Sequence, residues 1–243
     1  MSTGISSWTR ASAPPPARGR CLAPTLFRGT GEVLITLGVL VLLFAGYQLV
    51  YTNAQANRAA AAVGDQLERQ WARQPTGGPD KDSFAEVSDG AGFAFLRIPR
   101  LGAEWRKPIV QGVGLDDLAR GVGHYPDSAM PGRIGNFAVA GHRATHGEPF
   151  RDLSRLRTGD AVVVEAAKNW YIYRIDNDGE IVLPSSVGVV LPVPNRPGAK
   201  PTERLITLTT CNPRWGSTHR LIYWGHLESV QPKSEGRPAE LGG

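Results

Sequence analysis

The chain has 243 residues, 41% of them hydrophobic and 20% charged, with a formal net charge of +5. That balance excludes a wholly disordered polymer and allows one domain or two, each with a core of ordinary size. The positive excess is not a nucleic-acid signature: the stretch through Glu32 holds four arginines against one acid, and no basic stripe with interleaved aromatics follows it.

Residues 1–32 are rich in Ser, Pro, Gly and Arg, as in ASAPPPARGR, and carry no apolar period. They predict a disordered basic tail. From Val33 to Asn57 no charge occurs, and VLITLGVLVLLFAGYQLVY is almost wholly apolar. A helix of about 20 residues spans the hydrocarbon layer, so 33–52 is predicted to be a transmembrane helix. A cleaved signal peptide, with Ala54-Gln55-Ala56 as its formal site, is the competing reading. Four arginines before the span place the tail in the cytoplasm and the remainder outside, a single-pass arrangement.

The segment 53–91 is predicted to be a helical stalk, NRAAAAVGDQLERQWAR, followed by a linker that begins at Pro75-Thr76-Gly77-Gly78-Pro79. The folded domain is expected over 92–230, with a disordered tail at 231–243. Phe93–Ile98 and Trp105–Val110 read as strands, Leu115–Arg120 as a helical turn, and Ile134–Ala140 as a strand between Gly132 and Gly141. Pro149–Leu156 has a short helical pattern, and Ala161–Glu165 with Trp170–Asp176 reads as a hairpin. Nineteen prolines and 29 glycines imply many turns, and about eight short strands at this spacing fit a closed barrel. The fold class is therefore mainly β, an eight-stranded barrel with short helices behind one transmembrane helix.

The chemistry lies near the C-terminus. Leu205–Thr210 is β-branched and apolar, and Asn212-Pro213 halts that strand at Cys211. A second strand resumes at His219-Arg220. A thiol at a strand end with an arginine opening the returning strand suits acyl transfer: the thiolate attacks a carbonyl and the cation steadies the oxyanion. Only Cys21 and Cys211 occur, and the predicted topology puts them on opposite sides of the membrane, so Cys211 is a lone exported thiol. Arg214, in the turn after Pro213, is the rival cation. His142 and His146 could suggest a metal pair on a helix, but Gly141 and Gly147 argue against one.

Thr207-Leu208-Thr209-Thr210-Cys211, the following NPRW, and Arg220 resemble the signature of sortases, the membrane-tethered cysteine transpeptidases of Gram-positive bacteria. The short Cys-to-Arg spacing looks most like class E, found mainly in actinobacteria. The resemblance covers Gly92 to Leu227 and includes Asn136-Phe137-Ala138-Val139-Ala140-Gly141-His142-Arg143, a strand followed by a histidine. It implies Cys211 as nucleophile, His142 as general acid and Arg220 as oxyanion clamp, with Tyr125, Thr209 and Thr210 at the substrate. It implies that the loop Leu191–Pro201 walls the substrate groove. The implied reaction cleaves an LPXTG-like, here LAXTG, sorting signal between Thr and Gly and joins the secreted protein to a peptidoglycan-precursor amine. No cofactor or metal is implied; calcium, used by some sortases, has no carboxylate cluster here and stays open. A pilus-type enzyme joining protein subunits and a non-catalytic wall-binding module are the alternatives.

Overall fold

A computed structural model of the chain describes residues 23–73, 82, 84 and 87–242. The expected basic tail through residue 22 and most of the linker between 74 and 86 lie outside the described residues. Two compact units divide at Gly46/Tyr47. Helix α1 runs Ala23–Ala72. Among its described side chains in the first unit, the apolar Val33, Leu34, Leu42 and Phe44 are all exposed. The helix is long and apolar enough to cross a membrane.

In the second unit the helix is not a free stalk. Ala56, Gly64 and Leu67 are buried, Ala60 is partly so, and the four recur at helical spacing, so one stripe of mostly small residues closes on the domain. Gly64 lies so close to Phe95 that a Cβ would sit 3.2 Å from its ring. Trp71 meets Phe95 edge-on at 5.5 Å, and Glu68 pairs with Arg106. The expected stalk is a packed strut, because a run that reads as helix formers also carries a contact face.

Nine strands follow among the described residues: β1 Gly92–Arg97, β2 Arg106–Gln111, β3 Val122–His124, β4 Gly135–Ala140, β5 Ala161–Glu165, β6 Asn169–Ile175, β7 Glu180–Val182, β8 Arg204–Asn212 and β9 His219–Pro232. Their order is β6-β5-β1-β2-β3-β4-β8-β9-β7, and pairing of β6 with β9 closes eight of them into the expected barrel. Strand β7 lies outside the ring, paired with β9. The short helix α2, Leu115–Leu118, occupies the predicted turn, while Pro149–Leu156 contributes a single 3-10 turn at Leu153–Arg155.

Alternation puts Phe137 and Val139 of β4, Ile206 and Leu208 of β8, and Leu221 and Tyr223 of β9 in the interior cluster. His124 joins them, its Nδ1 2.8 Å from Gln111 Oε1 and its ring stacked on Phe137. Burial pushes its pKa down to about 4, so it packs as a neutral core residue.

Both expected boundaries of the domain move outward. Asp82 accepts hydrogen bonds from Lys168 N, Asn169 Nδ2 and Tyr171 Oη at 2.8–3.0 Å, and Phe84 packs on Phe93, so the folded unit reaches upstream of residue 92. The C-terminal residues are not a disordered tail either. Strand β9 continues to Pro232, Glu240 pairs with Arg174 at 2.6 Å, and Leu241 is buried with Val163, Trp170 and Ile172. One leucine in a polar stretch has no periodicity to betray it.

Candidate active site

The site is built by three neighbouring strands. Strands β8 and β9 pair antiparallel with Cys211 directly opposite Arg220. Directly opposed residues share a face, which places both side chains on the outer side of the barrel wall with Thr207, Thr209, Ile222 and Trp224. Strand β4 runs parallel to β8, aligning Ala138 with Thr207 and Ala140 with Thr209. Two residues further, the same register brings His142 level with Cys211.

Local contacts hold that register beyond the end of β4. Gly141 N–H donates to Thr209 O at 3.1 Å, and the Thr210 hydroxyl donates to Gly141 O at 2.7 Å. Thr210 is buried on the opposite face from Cys211, so it ties the histidine loop to the cysteine strand rather than lining the outer groove. A Cβ at Gly141 would lie 2.6 Å from the Phe150 ring, which is why the loop needs glycine there.

Cys211 is half-buried. With His142, Arg143, Ala144, Thr145, Arg214, Trp215 and Gly216 it lines a cavity of about 230 Å³. His142 stacks on His146 with ring centroids 4.7 Å apart, and its buried Nε2 has no hydrogen-bond partner. Stacked rings present faces to each other, not converging lone pairs. Burial first, and then the neighbouring His146, holds the His142 pKa below its ordinary 6.5. Among the described residues no group of three or more His, Cys, Asp or Glu could hold a metal ion.

Three arginines stand around the end of the cysteine strand. Arg220 Nη1 donates to Ser217 O at 2.9 Å and to its neighbour His219 O at 3.0 Å, which orients the guanidinium beside the thiol strand. Arg214, the rival cation, pairs with Glu148 at 2.7 Å and lies over the exposed Trp215 ring. Arg143 was not singled out by the sequence, yet its Nη1 donates to Cys211 O at 3.3 Å and to Asn212 Oδ1 at 2.6 Å. Its position directly after the histidine was the available signal.

Along the outer face, Tyr125 Oη sits 3.4 Å from Thr209 Oγ1. The connection between β7 and β8 crosses the same face: Val189 O accepts from Trp224 Nε1 at 3.2 Å, and Leu191 O accepts from Asn136 Nδ2 at 3.0 Å. These contacts put Tyr125 Oη, Thr209 and the start of the connection at Leu191 on the same face of the sheet as Cys211. The arrangement supplies a nucleophile, an imidazole and a guanidinium, the set that acyl transfer needs.

A model of the sortase domain family matches residues 96–228. Sortase SrtE1 of Streptomyces coelicolor is 42% identical over 221 residues; the match covers 88% of this chain and 60% of that protein's length. The solved structure of sortase E from Streptomyces avermitilis is 46% identical, with a TM-score of 0.58 over 63% of this chain and 99% of its own. The crystal structure of sortase E1 from Streptomyces coelicolor with a tripeptide in the active site is 41% identical, with a TM-score of 0.56 over 63% of this chain and 97% of its own.

Proposed function

The chain belongs to the sortase family of cysteine transpeptidases, and we propose that it cleaves a sorting signal of the LPXTG kind, LAXTG in particular, and transfers the secreted protein to a peptidoglycan-precursor amine. The observation that carries this reading is the in-register pair Cys211–Arg220, together with His142 lining the same cavity as Cys211. The related sortase E1 structure has a tripeptide in its active site, which favours a peptide as the occupant.

The Cys211 thiolate attacks the threonine carbonyl carbon, and Arg220 stabilises the resulting oxyanion. The carbon–nitrogen bond to glycine then breaks as His142 gives its proton to the leaving amine, which leaves a thioester on Sγ. An incoming amine attacks the thioester, loses a proton to His142, and forms a new amide bond as the carbon–sulfur bond breaks and Cys211 leaves as thiolate. The signal lies along the outer face of β8 between Tyr125, Thr209 and the Leu191–Pro201 loop. The apolar helix anchors the enzyme as a single-pass protein, and the arginines before the span favour a cytoplasmic N-terminus with the barrel outside.

The test is intact-mass spectrometry of the full chain in detergent with an LAXTG peptide, with and without a small amine. An acyl adduct on Cys211 that converts to peptide–amine product supports the reading. A reduced, folded enzyme that forms neither with LAXTG nor with LPXTG peptides would count against the assigned signal. Arg220→Ala is expected to lower the rate of adduct formation by roughly 10²–10³, the usual effect of removing one oxyanion donor. Wild-type rates in that variant, followed by stopped-flow mass analysis, would instead give the role to Arg214 or Arg143.

A further inference from the structure

The turn after His142 has an unusual backbone. His146, Gly147 and Glu148 all have positive φ, at 53°, 79° and 45°. Two of the three are not glycine, and such residues cost on the order of 1–3 kcal/mol each unless the surroundings hold them there. The loop holds itself in part, with Glu148 N–H donating to Thr145 O at 3.1 Å, and further holding groups come from outside it. Asn53 of α1 accepts from Gly147 N–H through Oδ1 at 3.0 Å and donates from Nδ2 to Glu148 Oε1 at 3.0 Å. The other carboxylate oxygen of Glu148 accepts from Arg214 at 2.7 Å, with Arg151 beyond it at 3.7 Å. Asn57, one helical turn further, closes on Gly147, where an added Cβ would sit 2.9 Å from Asn57 Oδ1.

One side-chain amide therefore bonds two consecutive positive-φ residues of a loop whose near end carries His142. The carboxylate it holds reaches across to Arg214, on the wall of the cavity that contains Cys211. We propose that Asn53, on the helix that precedes the domain, is a positioning residue of the active centre. Through Glu148 it fixes the His142 loop and the Arg214 side of the cavity relative to each other. The inference rests on the reading of Cys211 and His142 as the reacting groups. A soluble truncation that begins after the helix lacks this clamp.

The hydrogen-bond pattern offers a direct test in the full chain in detergent. Asn53→Asp keeps the acceptor for Gly147 but sets a carboxylate against Glu148. Glu148→Gln sets an amide donor against the Asn53 amide. In the double variant every bond is restored with donor and acceptor exchanged: the introduced glutamine amide donates to the introduced carboxylate on the helix, and the glutamine oxygen accepts from Arg214. Each single change is expected to lower kcat about tenfold with the peptide KM nearly unchanged, and the double variant to recover most of that loss. Single variants at wild-type kcat, losses confined to KM, or a double variant whose losses simply add would each overturn the proposal.

Iodoacetamide alkylation of Cys211 gives a second readout that needs no sorting signal. It should slow in both single variants and recover in the double variant. If the wild-type thiol alkylates yet forms no peptide adduct, the sorting-signal reading fails and the alkylation series still decides the role of Asn53. Asn53→Ala, with its thermal midpoint measured alongside, separates the lost clamp from the repulsion.

Discussion

Cys211→Ala is expected to abolish both the acyl adduct and the transfer product, a loss of at least about 10⁴ in kcat, because nucleophile removal leaves only binding and oxyanion contributions. Cys211 is the cavity's only thiol and lies opposite Arg220 on the ladder, so no neighbouring group can take over the attack. The fold should survive the change. Cys211 sits half-buried near the end of β8, outside the interior cluster of Ile206, Leu208, Leu221 and Tyr223, so its sulfur fills no core position. Circular dichroism and the thermal midpoint are expected to match the wild type. A folded Cys211→Ala enzyme that still formed product would move the nucleophile elsewhere and sink the assignment.

The second large effect concerns His142. His142→Gln is expected to lower kcat/KM by roughly 10²–10⁴, the usual contribution of a positioned acid or base. The pH profile of the wild type carries the sharper information. The protonated His142 gives the leaving amine its proton, and that form is lost as pH rises through the His142 pKa. A break in the kcat/KM profile at that pKa therefore reports His142. Burial and His146 hold the pKa down, which places the break below pH 6.5. His146→Ala removes the neighbour that disfavours the charged ring and should shift the break upward. A profile whose break ignored both His142→Gln and His146→Ala would show that another group controls the titration.

Much of the barrel can be read in short segments. Strand β5 matches its expected range, β4 starts one residue later and β6 lies one residue earlier at both ends, because each shows local patterning bounded by glycine or polar turns. The 14-residue β9 reads less well. It changes partner along its length, from β8 and β7 to β6, and local sequence does not say where a strand changes neighbours. Thr209 and Thr210 look equivalent in TLTTC, yet one faces the outer groove and the other bonds Gly141 from the opposite side. Only the pleat, with the interior identified, separates them.

By itself the sequence determined what is local. The apolar run from Val33, the halt that Asn212-Pro213 places after Cys211, and the strand restart at Arg220 each need only a few neighbouring residues to be legible. The tertiary structure alone decided which distant groups meet. Parallel pairing of β4 with β8 brings His142 level with Cys211, and helix packing carries Asn53 to Glu148 across 95 positions. Glu148 then reaches Arg214, and Leu241 finds its site beside Trp170. Such contacts leave no period in the chain, because they depend on barrel closure and side-chain packing rather than on the order of adjacent residues.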